Sequence, residues 1–179
     1  MNKYVIRTVL LILIAVLAYF TYESIAAPLR YAKEVTKKEA KVIAKLKVLR
    51  DGQLAYKDEK GEFAGNFDDL LYFMENGQMT VTIQTGSKDD STTVFKSETM
   101  KVGVRDSLFK QVDIRNLRYV PGHDTLQFNI AAGDLKKNNV VVPVFEIKDP
   151  KPYSKEREAK NDPLKVGSIY DVNYNGNWK

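Results

Sequence analysis

The chain has 179 residues, room for one apolar anchor and one domain able to bury its own core. It contains no cysteine, which excludes disulfides, thiolate metal sites, a cysteine nucleophile and a cysteine-linked lipid. The formal charge of +5 divides unevenly, with 12 Lys/Arg against 6 Asp/Glu in residues 1–60 and 16 against 17 in residues 61–179. A reader of phosphates would carry its positive charge on the folded domain, so nucleic acid is not an expected partner, and anionic lipid headgroups account for the basic excess more simply.

Residues 8–22, TVLLILIAVLAYFTY, form an uncharged run of 15, fenced by Lys3 and Arg7 on one side and Glu23 on the other. A bilayer takes about 20 residues of helix, and residues 4–6 and 24–27 supply the difference once Arg7 and Glu23 snorkel. A basic start, an apolar run and the small pair Ala26-Ala27 also describe a removable secretory signal. Glu23 falls where a cleavage region is small and neutral, and the helical pattern continues beyond it, so the segment reads as a signal anchor. Basic residues flank both ends. A literal positive-inside count would leave the large domain in the cytoplasm, but long domains cross largely regardless of charge. The expected location is the inner (cytoplasmic) membrane, with a single span and the large domain outside the cytoplasm.

Pro28 allows a kink or a new helix start. Over residues 28–56 the apolar positions Val35, Val42, Ile43, Leu46, Leu49 and Tyr56 recur at helical spacings, and Lys33, Lys37, Lys41 and Lys45 form a row on another side at steps of four. Val35, Val42, Leu49 and Tyr56 repeat every seven residues, but the companion seam positions are Glu39, Leu46 and Gln53. A face packed on the chain's own domain is therefore favoured over a coiled coil. Lys33, Lys37 and Lys41 are candidates for electrostatic contact with headgroups or a partner, although Glu34 and Lys38 also form an ordinary helix-solubilising pair.

Asn66 is placed to cap a short helix with Asp68 and Asp69 in its first turn, Leu70, Leu71, Phe73 and Met74 on its buried side, and Gly77 at its end. From Met79 the period becomes two, predicting strands at 79–83, 93–95, 100–104, 112–114, 117–120, 126–130, 140–147 and 166–172. Turns are predicted at 86–90, 121–124 and 136–139, which makes most neighbours antiparallel. Pro143 predicts an edge or a bulge, and residues 149–163 an exposed loop. Asn175-Gly176 reads as a turn and Trp178 as a residue packed on the domain. The fold class is α+β: a transmembrane helix (1–27), an amphipathic stem helix (28–56) and a mainly antiparallel β-sheet domain (57–179).

Chemistry finds little purchase. His123 is the only histidine and sits in a turn, where a triad needs an oriented, partly buried ring. The acidic pairs lack calcium-loop spacing, and no phosphate loop or nucleophile elbow occurs. Tyr153, Tyr170, Tyr174 and Trp178 interleave with Lys155, Arg157 and Lys165 as a sugar or nucleic-acid platform would, but amphipathic tyrosines more often line a core edge. No cofactor, no metal and no enzymatic activity are expected. A soluble binding domain released by signal cleavage and an unrecognised hydrolase are the alternatives.

Ala55-Tyr56, Gly61-Glu62-Phe63 and Leu70 follow the apolar and amphipathic helices in an order that resembles type IV pilins and pseudopilins. The resemblance covers about the first 75 residues. It implies a membrane helix continuing into a stem, an antiparallel sheet, and protein partners or self-assembly. The family's processing signal, a glycine, an aromatic and a glutamate five residues in, is missing: the first glycine is Gly52 and the apolar run holds no glutamate.

Overall fold

A computed structural model describes residues 3–85, 96–123 and 125–178. The element order is α1 (Lys3–Lys60), α2 (Phe67–Asn76), β1 (Gln78–Thr85), β2 (Lys96–Gly103), α3 (Val104–Leu108), a 3-10 turn at Ile114–Asn116, β3 (Asn129–Lys137), β4 (Val140–Lys148), α4 (Lys155–Ala159) and β5 (Lys165–Gly167). The fold is α+β, with β1-β2 as one antiparallel sheet and β3-β4-β5 as another. The chain divides into two compact units, residues 1–40 and 41–179.

The first unit is helical throughout its described residues. Pro28 lies inside α1. Ala26, Ala27, Leu29 and Arg30 around it are good helix formers, and the missing N–H costs the ladder a single bond. Helix also continues four residues past the expected end, to Lys60, with Lys57 and Lys60 in the last turn where the dipole favours cations.

The second unit is organised on a stripe of α1. Val42, Leu46 and Leu49 are fully buried, followed by Gln53, so the stripe advances in steps of four, three and four. Gln53 is the polar member of this stripe, and its amide closes two hydrogen bonds on one residue: Nε2 donates to the Ala64 carbonyl (2.8 Å) and Oε1 accepts from the Ala64 N–H (2.9 Å). This clamp fixes the turn from α1 to α2 where no ladder exists. Gly52 lets the helices approach, since a Cβ there would stand 2.7 Å from Met74 Sδ.

α2 forms as its caps dictate. Asn66 Oδ1 accepts from the Asp69 N–H (2.8 Å), Gly77 N–H returns to the Phe73 carbonyl (2.7 Å), and Phe67, Leu70, Leu71, Phe73 and Met74 turn into the core. Gly77 also accepts from Val104 N–H, which makes Val104 the start of α3 rather than the end of a strand.

β3 and β4 are joined by Asn138 and Asn139 at φ 51° and 62°, the two positive values that a two-residue primed turn demands and that asparagine tolerates. β3 runs further than expected: residues 131–137 alternate poorly, but pairing along all of β4 holds them. Pro143 lies in the middle strand of the three, contrary to the edge reading. β5 covers only residues 146–148 of β4, so Pro143 has no second ladder to supply, and its carbonyl accepts the Tyr174 hydroxyl (2.9 Å) instead. Phe145 meets Phe63 at a tilt of 49° (4.6 Å between centroids) and stacks on Tyr174 (6.0 Å) behind this sheet.

Three further expectations are corrected. Residues 112–114 and 117–120 are not strands. Ile114, Leu117 and Val120 are buried at intervals of three, the period of a 3-10 turn, and only Tyr119 makes a bridge, to Gln127. β5 stops at Gly167, whose φ of +77° leaves the β region and brings it to where a Cβ would lie 2.2 Å from the Phe145 carbonyl oxygen. Residues 149–163 are not a plain exposed loop: Ser154 caps the short α4, and Asp149 is buried. The expected strand at 93–95 and turn at 86–90 lie outside the described residues, as does Asp124 of the 121–124 turn.

Leu46→Ala or Leu49→Ala should destabilise the folded unit by about 2–4 kcal/mol, because both side chains are wholly buried. Lys41→Ala, on the exposed side, should stay within about 0.5 kcal/mol. Chemical denaturation of the detergent-solubilised chain measures the difference.

Candidate functional site

The first unit carries a continuous apolar surface. Leu11, Ile14, Phe20, Ile25 and Leu29 are each at least 60% exposed, and between residues 4 and 29 only Glu23 and Ala26 are half-buried rather than exposed. Polar atoms within this surface are turned inward. Thr8 Oγ1 donates to the Tyr4 carbonyl (2.9 Å) and Thr21 Oγ1 to the Leu17 carbonyl (2.8 Å), so neither hydroxyl needs water. Glu23 pairs with Arg30 two turns on. One stretch of α1 is long and apolar enough to cross a membrane, and none of it is buried. A secretory signal passes the same test of length and composition.

Lys33, Lys37 and Lys41 are exposed, and Val35 in the same unit as Lys33 and Lys37 is half-buried. Val42, Leu46 and Leu49 belong to the core of the second unit, and Tyr56 is half-buried against Phe73, edge to face at 5.1 Å.

Lys45 departs from the solvated row in which its spacing places it. It is half-buried, and its Nζ donates to the carbonyls of Asn116 (2.5 Å) and Tyr119 (2.8 Å). The Asn116 carbonyl ends the 3-10 turn and the Tyr119 carbonyl lies three residues on, so the ammonium ties α1 to the end of that turn. Burial lowers the Lys45 pKa from its ordinary 10.5, opposed by the charge of Asp113.

The other ionisable groups away from solvent are also engaged. Glu146 is buried between Lys165 (3.2 Å) and Lys148 (3.9 Å). Asp149 Oδ1 accepts from the Lys151 N–H (2.9 Å). His123 lies flat on the Tyr153 ring at 5.6 Å, and the Tyr153 hydroxyl donates to the Pro121 carbonyl. Burial and then the charge of Asp149 raise the Tyr153 pKa. These contacts tie residues 121–123 to 149–153. The supposed aromatic platform is divided: Tyr174 and Trp178 pack against the core, while Tyr170 stands exposed. Among the described residues no group of three or more His, Asp or Glu is placed to hold a metal.

Gln53, Lys45 and Asp149 escape a reading by hydropathy, since each is a polar residue whose partners lie on another segment. Compared with protein-family models, with curated proteins and with solved structures, the chain gives no match.

Lys45→Met should cost about 1–2 kcal/mol, since two carbonyls lose their donor. The folded state releases the Lys45 proton before the unfolded chain does, so this site adds stability as pH rises from the folded value toward 10.5. Denaturation of wild type and variant over alkaline pH should show that extra rise in the wild type only.

Proposed function

We propose that the chain is a single-pass protein of the inner (cytoplasmic) membrane, held by residues 1–27, with the folded unit outside the cytoplasm. It serves as a non-enzymatic structural or interaction subunit of an envelope-spanning assembly for secretion, motility or pilus-like work. The observation that carries this is the uncovered apolar surface of residues 4–29. Removing such a surface from water is worth roughly 25 cal/mol per Å², and the helix already satisfies its own backbone, as a bilayer requires. The pilin-like order of helix, stem and antiparallel sheet supports the assembly part of the reading.

The basic row has a role in the same picture. Lys33, Lys37 and Lys41 are exposed beyond the apolar run, where each contributes about 1 kcal/mol on an anionic surface. That contribution is screened over about 8 Å at physiological salt, so it weakens as ionic strength rises.

Protease added to spheroplasts should remove the region after Ala27, and cross-linking of the intact membranes should capture the chain with itself or a companion. Digestion confined to inverted vesicles would reverse the topology, and an uncross-linked monomer would remove the assembly role.

A further inference from the structure

Near the end of α1, a cavity of about 410 Å³ opens to solvent, within the range of about 300–1,000 Å³ that small-molecule sites occupy. Tyr56, Tyr72 and Phe73 form its aromatic lining, Glu59 and Asp69 add carboxylates, and Lys60 adds an ammonium. Phe73 is buried and Tyr56 rests on it, so two of the rings are fixed by the core. Tyr72, on the same helix, is 71% exposed.

Both carboxylates are held in place without being used up. Asp69 Oδ2 accepts from Asn66 Nδ2 (2.7 Å) and Glu59 Oε2 from the Thr80 hydroxyl (3.2 Å), and each carboxylate keeps free lone pairs. Burial first, and then the charges of Asp69 and Glu62, raise the Tyr56 pKa. The carboxylates of Glu59 and Asp69 at the cavity attract a cation, and aromatic faces attract one as well.

We propose that this cavity binds an organic cation, a primary ammonium or guanidinium carried on an apolar stem. The stem lies along the rings of Tyr56 and Tyr72 and the charge meets Glu59 and Asp69. A lysine or arginine side chain of another polypeptide and a free polyamine share this chemistry. Lys60 is the built-in competitor, a like charge at the same mouth. The site is independent of the membrane-subunit reading and stands or falls by itself.

The test is calorimetric titration of the full-length protein in uncharged detergent. The probes are N-acetyl-lysine methylamide, N-acetyl-arginine methylamide, spermidine and the uncharged N-acetyl-norleucine methylamide. The cations should saturate a single site and the norleucine compound should bind at least about 10-fold more weakly, as loss of a charge in an aromatic, carboxylate-lined site implies. Tyr72→Ala and Glu59→Gln should each weaken cation binding about 3- to 10-fold. Lys60→Gln should tighten it. All three positions are on the surface side of the cavity, and far-UV circular dichroism checks that each variant is folded. Preference for the acylated amino acids assigns a peptide ligand and preference for spermidine a free amine; both support the site. Absence of saturable cation binding, equal binding of the norleucine compound, indifference to Tyr72→Ala, or weakening by Lys60→Gln would overturn it.

Discussion

The rest of the chain's behaviour depends on the exposed apolar surface of the helix over residues 4–29. From Tyr4 to Leu29 the large aliphatic and aromatic side chains of α1 face outward, and none of them is buried. Water penalises such a surface at every turn, and a hydrocarbon phase does not. The internal bonds of Thr8 and Thr21 and the pairing of Glu23 with Arg30 answer the same constraint, since each removes a polar group that hydrocarbon would leave unsatisfied.

The second unit solves a different problem, packing the end of a helix, a short helix and the three-stranded sheet around one core, with Met79 of β1 at its margin. Neither sheet is large enough to do this by itself. Val42, Leu46 and Leu49 supply a ready apolar stripe, and the gaps are closed by polar groups with defined partners: Gln53 on Ala64, Lys45 on Asn116 and Tyr119, Tyr174 on Pro143. Each joins segments that no β ladder connects. Losing one strands a donor or acceptor at a buried or half-buried place, which costs more than the bond itself contributes.

Much of this was legible in the residue order. The apolar run, the stripe of α1, the Asn66 cap, the asparagine turn and the antiparallel pairing follow from local periodicity and turn chemistry, which act within a few residues. What escaped depends on distant partners. Lys45 looks like its neighbours Lys37 and Lys41 until the carbonyls of Asn116 and Tyr119 arrive more than 70 residues later. Ile114, Leu117 and Val120 look like strand residues because β-branched and aliphatic side chains score as strand, whereas their burial every third residue follows a 3-10 turn at Ile114–Asn116 and the turn after it. Pro143 reads as an edge residue since a ladder needs its N–H; a short β5 relieves that need in the middle strand. The aromatic, carboxylate-lined cavity was invisible for the same reason: Tyr56, Asp69 and Gln78 belong to three different elements.

The proposed function rests on the helix surface first and on the folded unit second. Alkaline carbonate extraction of membranes from cells making the chain addresses the first most directly. The full-length chain should stay in the membrane pellet at high pH, where peripheral proteins are released. Recovery in the supernatant, or of a shortened chain lacking its apolar segment, would contradict it.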